Sequence, residues 1–319
     1  MPTKKKHRKK VCIPHFGRYT SLFKSCLEEI GVSVVLPPKI TDRTVKIGTK
    51  HSSEMMCFPY KVTLGNFIET LEEDPDIDCL IMFDSRGTCR FRHYNTLQKQ
   101  TLFALGFKTK MLPLNSRNLL TFHREIAPRQ NPAKLARAYW KLFQGIKKFP
   151  ERVTIKTDKP NLLIIGEIYT CVEPSVNFDI ERKVEALGCN PINAVTLGAF
   201  VSGGIKSLFS KTRFRGKYHE KAQRYLNGPL GGHGIENIAS ILKWMDLGVD
   251  GIIWLRPLSC MPESTVDLVV KGICQEKDLP LLVFDIDESN FSLNIATRLE
   301  TFAEQIGALY EERKLLHRV

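Results

Sequence analysis

Short runs of consecutive apolar residues alternate along the chain with longer segments in which apolar residues recur at helical spacing. The short runs are typical of buried strands in a parallel sheet, and the longer segments predict helices. Glycine or proline ends many of them, such as Gly31 after a predicted helix and Pro37 after the next strand. We predict strands at 11–14, 32–36, 78–83, 107–112, 161–165, 251–255 and 281–286, and helices at 19–30, 60–71, 91–105, 177–187, 237–247, 266–276 and 292–312.

This alternation of strands and helices predicts an α/β fold with parallel sheets. The pattern is interrupted at 116–159, which contains helix formers and aromatic residues but no strand pattern. We therefore predict two α/β domains, 11–115 and 160–319, joined by a helical connector at 116–159. A basic, disordered tail at 1–10 precedes them. Whether the two halves share one plan is left open by the sequence.

Composition narrows the class of protein. Of the 319 residues, 43% are hydrophobic, which is typical of a globular protein with a core. No segment approaches ~18 consecutive apolar residues, so we predict no membrane span. The basic N-terminus is not followed by an apolar stretch of signal-peptide length, so we expect a cytoplasmic protein. The nine cysteines, an odd number, favour a reducing compartment over a secreted disulfide framework.

The net charge of +13 is concentrated in two places: six of the first ten residues are lysine or arginine, and a second basic stretch spans 206–224. The tail could bind nucleic acid or an acidic protein, and the second stretch could attract a polyphosphate such as coenzyme A. Charge runs of this kind are more often solvated, so we favour that interpretation for both and expect no nucleic-acid binding.

Three cysteines stand where a strand or loop passes into a predicted helix, namely Cys57, Cys89 and Cys260. Loops at the carboxyl ends of parallel strands gather where ligands bind, and a helix N-terminus favours the thiolate that binds metal. Three such thiolates predict an iron–sulfur cluster with one coordination position left to another group. Cys171, at a strand end, is a candidate fourth ligand. The other cysteines are interpreted as core residues.

An ordered set of short motifs runs through nearly the whole chain. They include Cys57-Phe58-Pro59-Tyr60-Lys61, Gly87-Thr88-Cys89-Arg90-Phe91, Gly166-Glu167-Ile168-Tyr169, Gly231-Gly232-His233-Gly234-Ile235-Glu236-Asn237 and Cys260-Met261-Pro262-Glu263. In this order and spacing, the chain resembles the 2-hydroxyacyl-CoA dehydratase D-component family. That family includes benzoyl-CoA reductase subunits, double-cubane cluster proteins and activase-related proteins.

The resemblance implies two Rossmann-like (flavodoxin-like) domains with an iron–sulfur cluster between them, [4Fe-4S] or double-cubane, ligated by Cys57, Cys89 and Cys260. It also implies an ATP-hydrolysing activator protein with its own cluster, which delivers a low-potential electron. In catalytic relatives this electron reduces an acyl-CoA thioester to a ketyl radical. We expect a homodimer or heterodimer. The alternative to a lyase or reductase is a non-enzymatic iron–sulfur electron carrier, assembly factor or sensor.

Residues beside the cysteines are candidates for supporting roles. Hydroxyl groups could bond to cluster sulfur or fill the open position, and basic side chains could pair with a phosphate or with cluster charge. A carboxyl or imidazole group could act in catalysis, although helix-dipole and capping roles are the structural alternatives. The hydroxyl candidates are Thr88 and Ser259, the basic candidates are Arg90 and Lys61, and the catalytic candidates are Glu263 and His233. The sequence departs from the family pattern after Cys89, where Arg92 and His93 are bulkier and more basic than usual.

Overall fold

The computed structural model describes residues 8–84, 89–115, 118–128, 130–148, 154–197, 216–226, 228, 230, 232–289 and 295–316. The chain divides into two compact units, Met1–Lys148 and Phe149–Val319. Each contains a four-stranded, all-parallel sheet flanked by helices. This confirms the predicted fold class of two Rossmann-like α/β units. None of the described helices is both long and apolar enough to cross a membrane.

The N-terminal unit has the strand order β2–β1–β3–β4. Alternate residues of its strands face two separate apolar cores, one with Leu27 and Phe122 and the other with Leu64 and Phe67. The strands are β1 (Lys10–Cys12), β2 (Ser33–Val35), β3 (Cys79–Phe83) and β4 (Lys110–Leu114). The helices are α1 (Thr20–Ile30), α2 (Asp42–Lys50), α3 (Phe58–Glu73), α4 (Tyr94–Ala104), α5 (Leu119–Ile126) and α6 (Pro132–Lys148), with short 3-10 helices at Gly17–Tyr19 and Arg90–His93.

The C-terminal unit has the strand order β6–β5–β7–β8. Its core includes Trp254, which is fully buried. The strands are β5 (Asn161–Gly166), β6 (Asn190–Asn193), β7 (Gly251–Pro257) and β8 (Leu281–Ile286). The described helices are α7 (Ile168–Val172), α8 (Pro174–Asn177), α9 (Ile180–Ala186), α10 (Lys217–Gln223), α11 (Gly234–Leu247), α12 (Met261–Glu276) and α13 (Ile295–Leu316).

The two units share one plan. In each, the first strand lies between the second and the third, and the fourth strand lies beside the third. A helix leads into the third strand, α3 in one unit and α11 in the other, and a further helix begins after it, α4 or α12. The strand topology therefore shows that the two halves of the chain have the same plan, which the sequence alone left open.

Several segments differ from their predictions. The connector predicted at 116–159 is helical up to Lys148, and its helices belong to the N-terminal unit, where Phe122 packs in the core. Helix α2 was not predicted. The helix predicted at 177–187 is broken where Phe178 and Asp179 adopt left-handed conformations, with φ of 60° and 57°. Most of the two basic stretches lies outside the described residues.

Candidate metal centre

Cys57, Cys89 and Cys260 each occupy the N-cap position of a helix, namely α3, the 3-10 helix that precedes α4, and α12. Their backbones are extended, with φ/ψ of −67°/152°, −64°/136° and −77°/107° respectively. The first N–H groups of a helix have no partners within it and carry the positive end of its dipole, which favours a thiolate there. The structure thus confirms the predicted placement of all three residues at helix starts.

Two contacts within the N-terminal unit join the segments that carry Cys57 and Cys89. The hydroxyl group of Tyr94, the first residue of α4, lies 2.7 Å from the Sγ of Cys57. The guanidinium of Arg90 donates to the carbonyl oxygen of Met55, two residues before Cys57. Arg90 thus links the two segments, while its role toward a phosphate or a cluster stays a prediction.

Cys260 follows β7 after a short loop with an unusual backbone. Ser259 has a φ of 61°, a left-handed conformation that is uncommon for residues other than glycine. The N–H of Cys260 donates to the carbonyl of Pro257 at 3.1 Å, and the N–H of Leu258 donates to Ile286 of β8 at 2.9 Å. Such strained residues cluster at functional sites, so the conformation of Ser259 supports a function for this loop.

Glu263, in the first turn of α12, is fully buried. The Nδ2 of Asn237 lies 3.0 and 2.9 Å from its two carboxyl oxygens, and the Nε1 of Trp254 donates to it at 2.6 Å. Asn237 also accepts from the N–H of Gly166 at 3.2 Å. Burial raises the pKa of Glu263 to about 8, although these donors oppose the shift. These contacts favour a positioning role, and the predicted catalytic role stays a prediction.

His233 is the N-cap residue of α11, and its carbonyl accepts from the N–H of Asn237 at 2.8 Å. Burial lowers the pKa of its imidazole, an effect that nearby Glu236 opposes. The neutral ring, which is the form that binds metals, is therefore favoured. The sequence correctly placed His233 at a helix start, while its catalytic role stays a prediction.

Of the two remaining candidate residues, the structure describes only Lys61. Lys61, four residues after Cys57 on α3, is only 4% exposed, although its charge would ordinarily favour solvent. Thr88 lies outside the described residues. The predicted roles of both residues toward a phosphate or a cluster stay predictions.

None of the other six cysteines, all of which lie in the described part of the chain, is the N-cap residue of a helix. No disulfide joins any of the nine cysteines, each of which the structure describes. Burial raises the pKa of the six, which disfavours their metal-binding thiolate form. For Cys171, burial and the neighbouring Glu167 and Glu263 raise the pKa well above its ordinary value, and its candidacy as a fourth ligand stays a prediction. The pKa is raised to about 12 in Cys12, Cys26 and Cys79 and to about 11 in Cys274, and burial also raises the pKa of Cys189.

A cavity of about 210 Å³ adjoins the Cys260 loop, with Ser259 and Arg256 in its lining. It is smaller than the roughly 300–1,000 Å³ that is typical of ligand pockets. The guanidinium of Arg256 donates to the carboxylates of Asp267 and Asp285. The distance from its Nη2 to the Oδ2 of Asp285 is 2.9 Å. Its charge is therefore engaged by two carboxylates, so the cavity does not resemble a phosphate-binding pocket.

Within the described part of the chain, no three His, Cys, Asp or Glu side chains form a group that could hold a metal ion. No protein-family model matches the sequence, and no curated protein is significantly similar to it. The resemblance to the dehydratase family, and the shared ligation by Cys57, Cys89 and Cys260, therefore stay predictions.

Proposed function

We propose that this is an iron–sulfur protein whose cluster is ligated by Cys57, Cys89 and Cys260. The observation that carries the proposal is the position of these three cysteines, each of which is the N-cap residue of a helix. Iron–sulfur clusters are held by thiolates, so the donor set fits. The hydroxyl of Tyr94 provides a hydrogen-bonding group at one of the sulfurs. A bound cluster would supply one-electron transfer.

The partner and the reaction follow from the family resemblance. We propose that an ATP-hydrolysing activator with its own cluster donates the electron, and that the acceptor is an acyl-CoA thioester. The second candidate, which the sequence leaves open beside the first, is a non-enzymatic iron–sulfur electron carrier, assembly factor or sensor. The odd number of cysteines in the sequence favours a reducing compartment such as the cytoplasm over a disulfide framework.

The ligand assignment is tested by purifying the full chain without oxygen and measuring iron, acid-labile sulfide and the absorption spectrum. Replacing Cys57, Cys89 or Cys260 by alanine should remove most of the iron. The matched controls are Cys26→Ala and Cys274→Ala, one buried thiol in each unit, which should retain it. Circular dichroism verifies that every variant is folded. Protein that stays colourless and iron-free after anaerobic reconstitution, or single ligand variants with undiminished iron, would contradict the proposal.

The two candidate functions are separated once a cluster is present. Conversion of a 2-hydroxyacyl-CoA thioester in the presence of ATP and an activator would support the enzyme. A cluster that is reduced and reoxidised reversibly, without any conversion of the thioester, would support the carrier or sensor.

A further inference from the structure

The outer face of helix α6 is basic and carries an exposed aromatic residue. The inner face packs into the N-terminal core through apolar residues such as Leu135 and Leu142. The helix contains no aspartate or glutamate, so its outer face has no carboxylate of its own. Five exposed cations lie on that face at helical spacing, namely Lys134, Arg137, Lys141, Lys147 and Lys148. Helix α6 is therefore amphipathic, with a uniformly positive polar side.

Trp140 lies among these cations and is 62% exposed, although its large ring would ordinarily favour burial. Its ring centroid is 6.2 Å from that of Phe143, and the two ring planes are inclined at 41°. The ammonium group of Lys147 lies 4.5 Å from the centroid of the Phe143 ring. The other two tryptophans of the chain, Trp244 and Trp254, are buried in the C-terminal unit. Solvent therefore reaches a single tryptophan, and positive charge flanks it.

One carboxylate of the neighbouring helix α1 pairs with this face. Glu29 lies 3.0 Å from the Nζ of Lys141, whereas Glu28 lies 3.8 Å from Lys24 of its own helix. Within the described residues, the other four cations of α6 form no ion pair with a carboxylate. Most of the charge on the outer face is therefore available to a partner.

The excess positive charge of the chain lies entirely in the unit that contains α6. Residues 1–148 hold 27 lysines and arginines and 12 aspartates and glutamates, a net charge of +15. Residues 149–319 hold 20 and 22 respectively, a net charge of −2. Without the ten residues of the basic tail, the N-terminal unit still carries +9. Such an asymmetry between two halves of a chain is typical of proteins that bind a polyanion.

We propose that the outer face of α6 binds single-stranded RNA. Lysine and arginine side chains would pair with phosphates, and an unpaired base would stack on Trp140. RNA is the expected strand rather than DNA, because the bases of RNA are commonly unpaired in loops and at ends. An anionic membrane fits this face less well, since an interfacial helix inserts a broad apolar face and the leucines of α6 are turned into the core.

Binding at α6 does not depend on the iron–sulfur centre, and it was not expected from the sequence. The two basic runs considered there lie elsewhere in the chain, at 1–10 and 206–224. The cations of α6 are interspersed with apolar residues, so they form no charge run along the chain. Only the helix brings them to one face, because residues three and four positions apart lie on the same side of it.

The test titrates the full chain, purified without oxygen, against oligouridine of about 15 nucleotides, a length within the usual site sizes for single strands. Fluorescence anisotropy of labelled oligouridine at about 50 mM salt should show saturable binding, which weakens as salt is added. Unlabelled oligouridine should quench the tryptophan fluorescence, because Trp140 is the exposed tryptophan. Trp140→Ala should weaken binding about 5- to 150-fold, the range for one stacked base. Trp140→Phe should retain most of the binding and lose the quenching.

The phosphate contacts are tested through the salt dependence of binding. Replacing both Arg137 and Lys147 by glutamine should reduce the slope of log K against log salt by about 1.4, since each phosphate contact on a single strand contributes about 0.7. Helix α4 provides matched controls, because it packs against the other core of the same unit. Phe103→Ala removes a ring that is 73% exposed, and Lys99→Gln removes an exposed cation. Both should bind oligouridine as the original protein does.

Three results would overturn binding of RNA at α6. The first is oligouridine that does not bind, or that binds without quenching tryptophan. The second is a Trp140→Ala variant that binds as tightly as Phe103→Ala, with circular dichroism verifying that both are folded. The third is preference for another partner, either oligodeoxythymidine of the same length or vesicles of phosphatidylserine and phosphatidylcholine. Quenching is measured in the unsubstituted chain and iron content is measured separately, so failure here leaves the proposed function standing.

Discussion

Helices α2 and α3 approach each other through two glycines, Gly48 and Gly65, and we predict that alanine at either position destabilises the N-terminal unit. A Cβ atom at Gly48 would lie 1.8 Å from the carbonyl oxygen of Lys61, and one at Gly65 would lie 2.0 Å from that of Thr44. Both obstacles are backbone atoms of regular helices, so neither can rotate away. Because α3 begins after Cys57, this contact also fixes α2 against the helix that carries a candidate ligand.

The expected loss of stability follows from how closely the added Cβ atom would approach the facing carbonyl oxygen. An ordinary contact of a Cβ atom begins at 3.4 Å, so the two helices would have to separate locally by roughly 1.5 Å, in an interior that is close-packed. Overpacking of this kind costs about 1–3 kcal/mol, and occasionally more. Alanine recovers up to about 1 kcal/mol through its higher helix propensity. The contact involves rigid backbone on both sides, so we expect each variant to lose about 2 kcal/mol of unfolding free energy in total.

Urea unfolding followed by circular dichroism measures this loss. Gly145→Ala is the control within the same unit, because its Cβ atom would meet only the flexible side chain of Leu22, at 2.8 Å. Gly272→Ala is the control for helix propensity, because nothing lies within 4 Å of its Cβ position. It should gain up to about 1 kcal/mol. If Gly48→Ala and Gly65→Ala also gained stability, the close approach of α2 and α3 would be refuted.

Three further predictions concern single side chains. Burial lowers the pKa of His123, so the neutral ring is favoured in the folded state. The contribution of His123 to stability should be constant above the unfolded pKa of about 6.5 and should fall as the pH drops below it. His123→Phe should flatten this pH dependence, measured by thermal unfolding between pH 5 and 8. If the cluster is present, Tyr94→Phe removes a hydrogen bond at the Cys57 sulfur and should lower the midpoint potential by about 40 mV, the equivalent of about 1 kcal/mol, in a redox titration. Asp250→Asn weakens the acceptor of the Asn161 N–H, which lies 2.6 Å away, and should cost about 1–3 kcal/mol in urea unfolding of the C-terminal unit.

The sequence predicted those parts of the fold that have a local signal. The apolar runs that become β5 and β7 are buried throughout or nearly so, and their lengths set them apart from helices. Helix α2 lacks such a signal, since its segment is rich in threonine and lysine and contributes little apolar surface. Its packing on α3 includes the close backbone approach at Gly48 and the hydrogen bond from Thr44 to Glu69, which no pattern of hydrophobic residues encodes.

The candidate site was predictable in position but not in its contacts. Cys57 and Cys260 could be placed at helix starts because their surroundings in the sequence carry strand and helix signals. The bond between Asn237 and Glu263 joins residues 26 positions apart, and the contact between Cys57 and Tyr94 joins residues 37 positions apart. Both depend on how helices pack after the sheet has formed, so no local pattern specifies them.

The two units hold their helix starts through different side-chain contacts. The carboxyl group of Glu263 is fully buried and bonded by Asn237 and Trp254, so any movement would leave buried polar groups unpaired. The guanidinium of Arg90 is only half-buried, so water can replace the carbonyl of Met55 at low cost. In the C-terminal unit the starts of α11 and α12 are therefore held by buried hydrogen bonds, whereas in the N-terminal unit the buried contact of Tyr94 with Cys57 is accompanied by the more exposed contact of Arg90 with Met55.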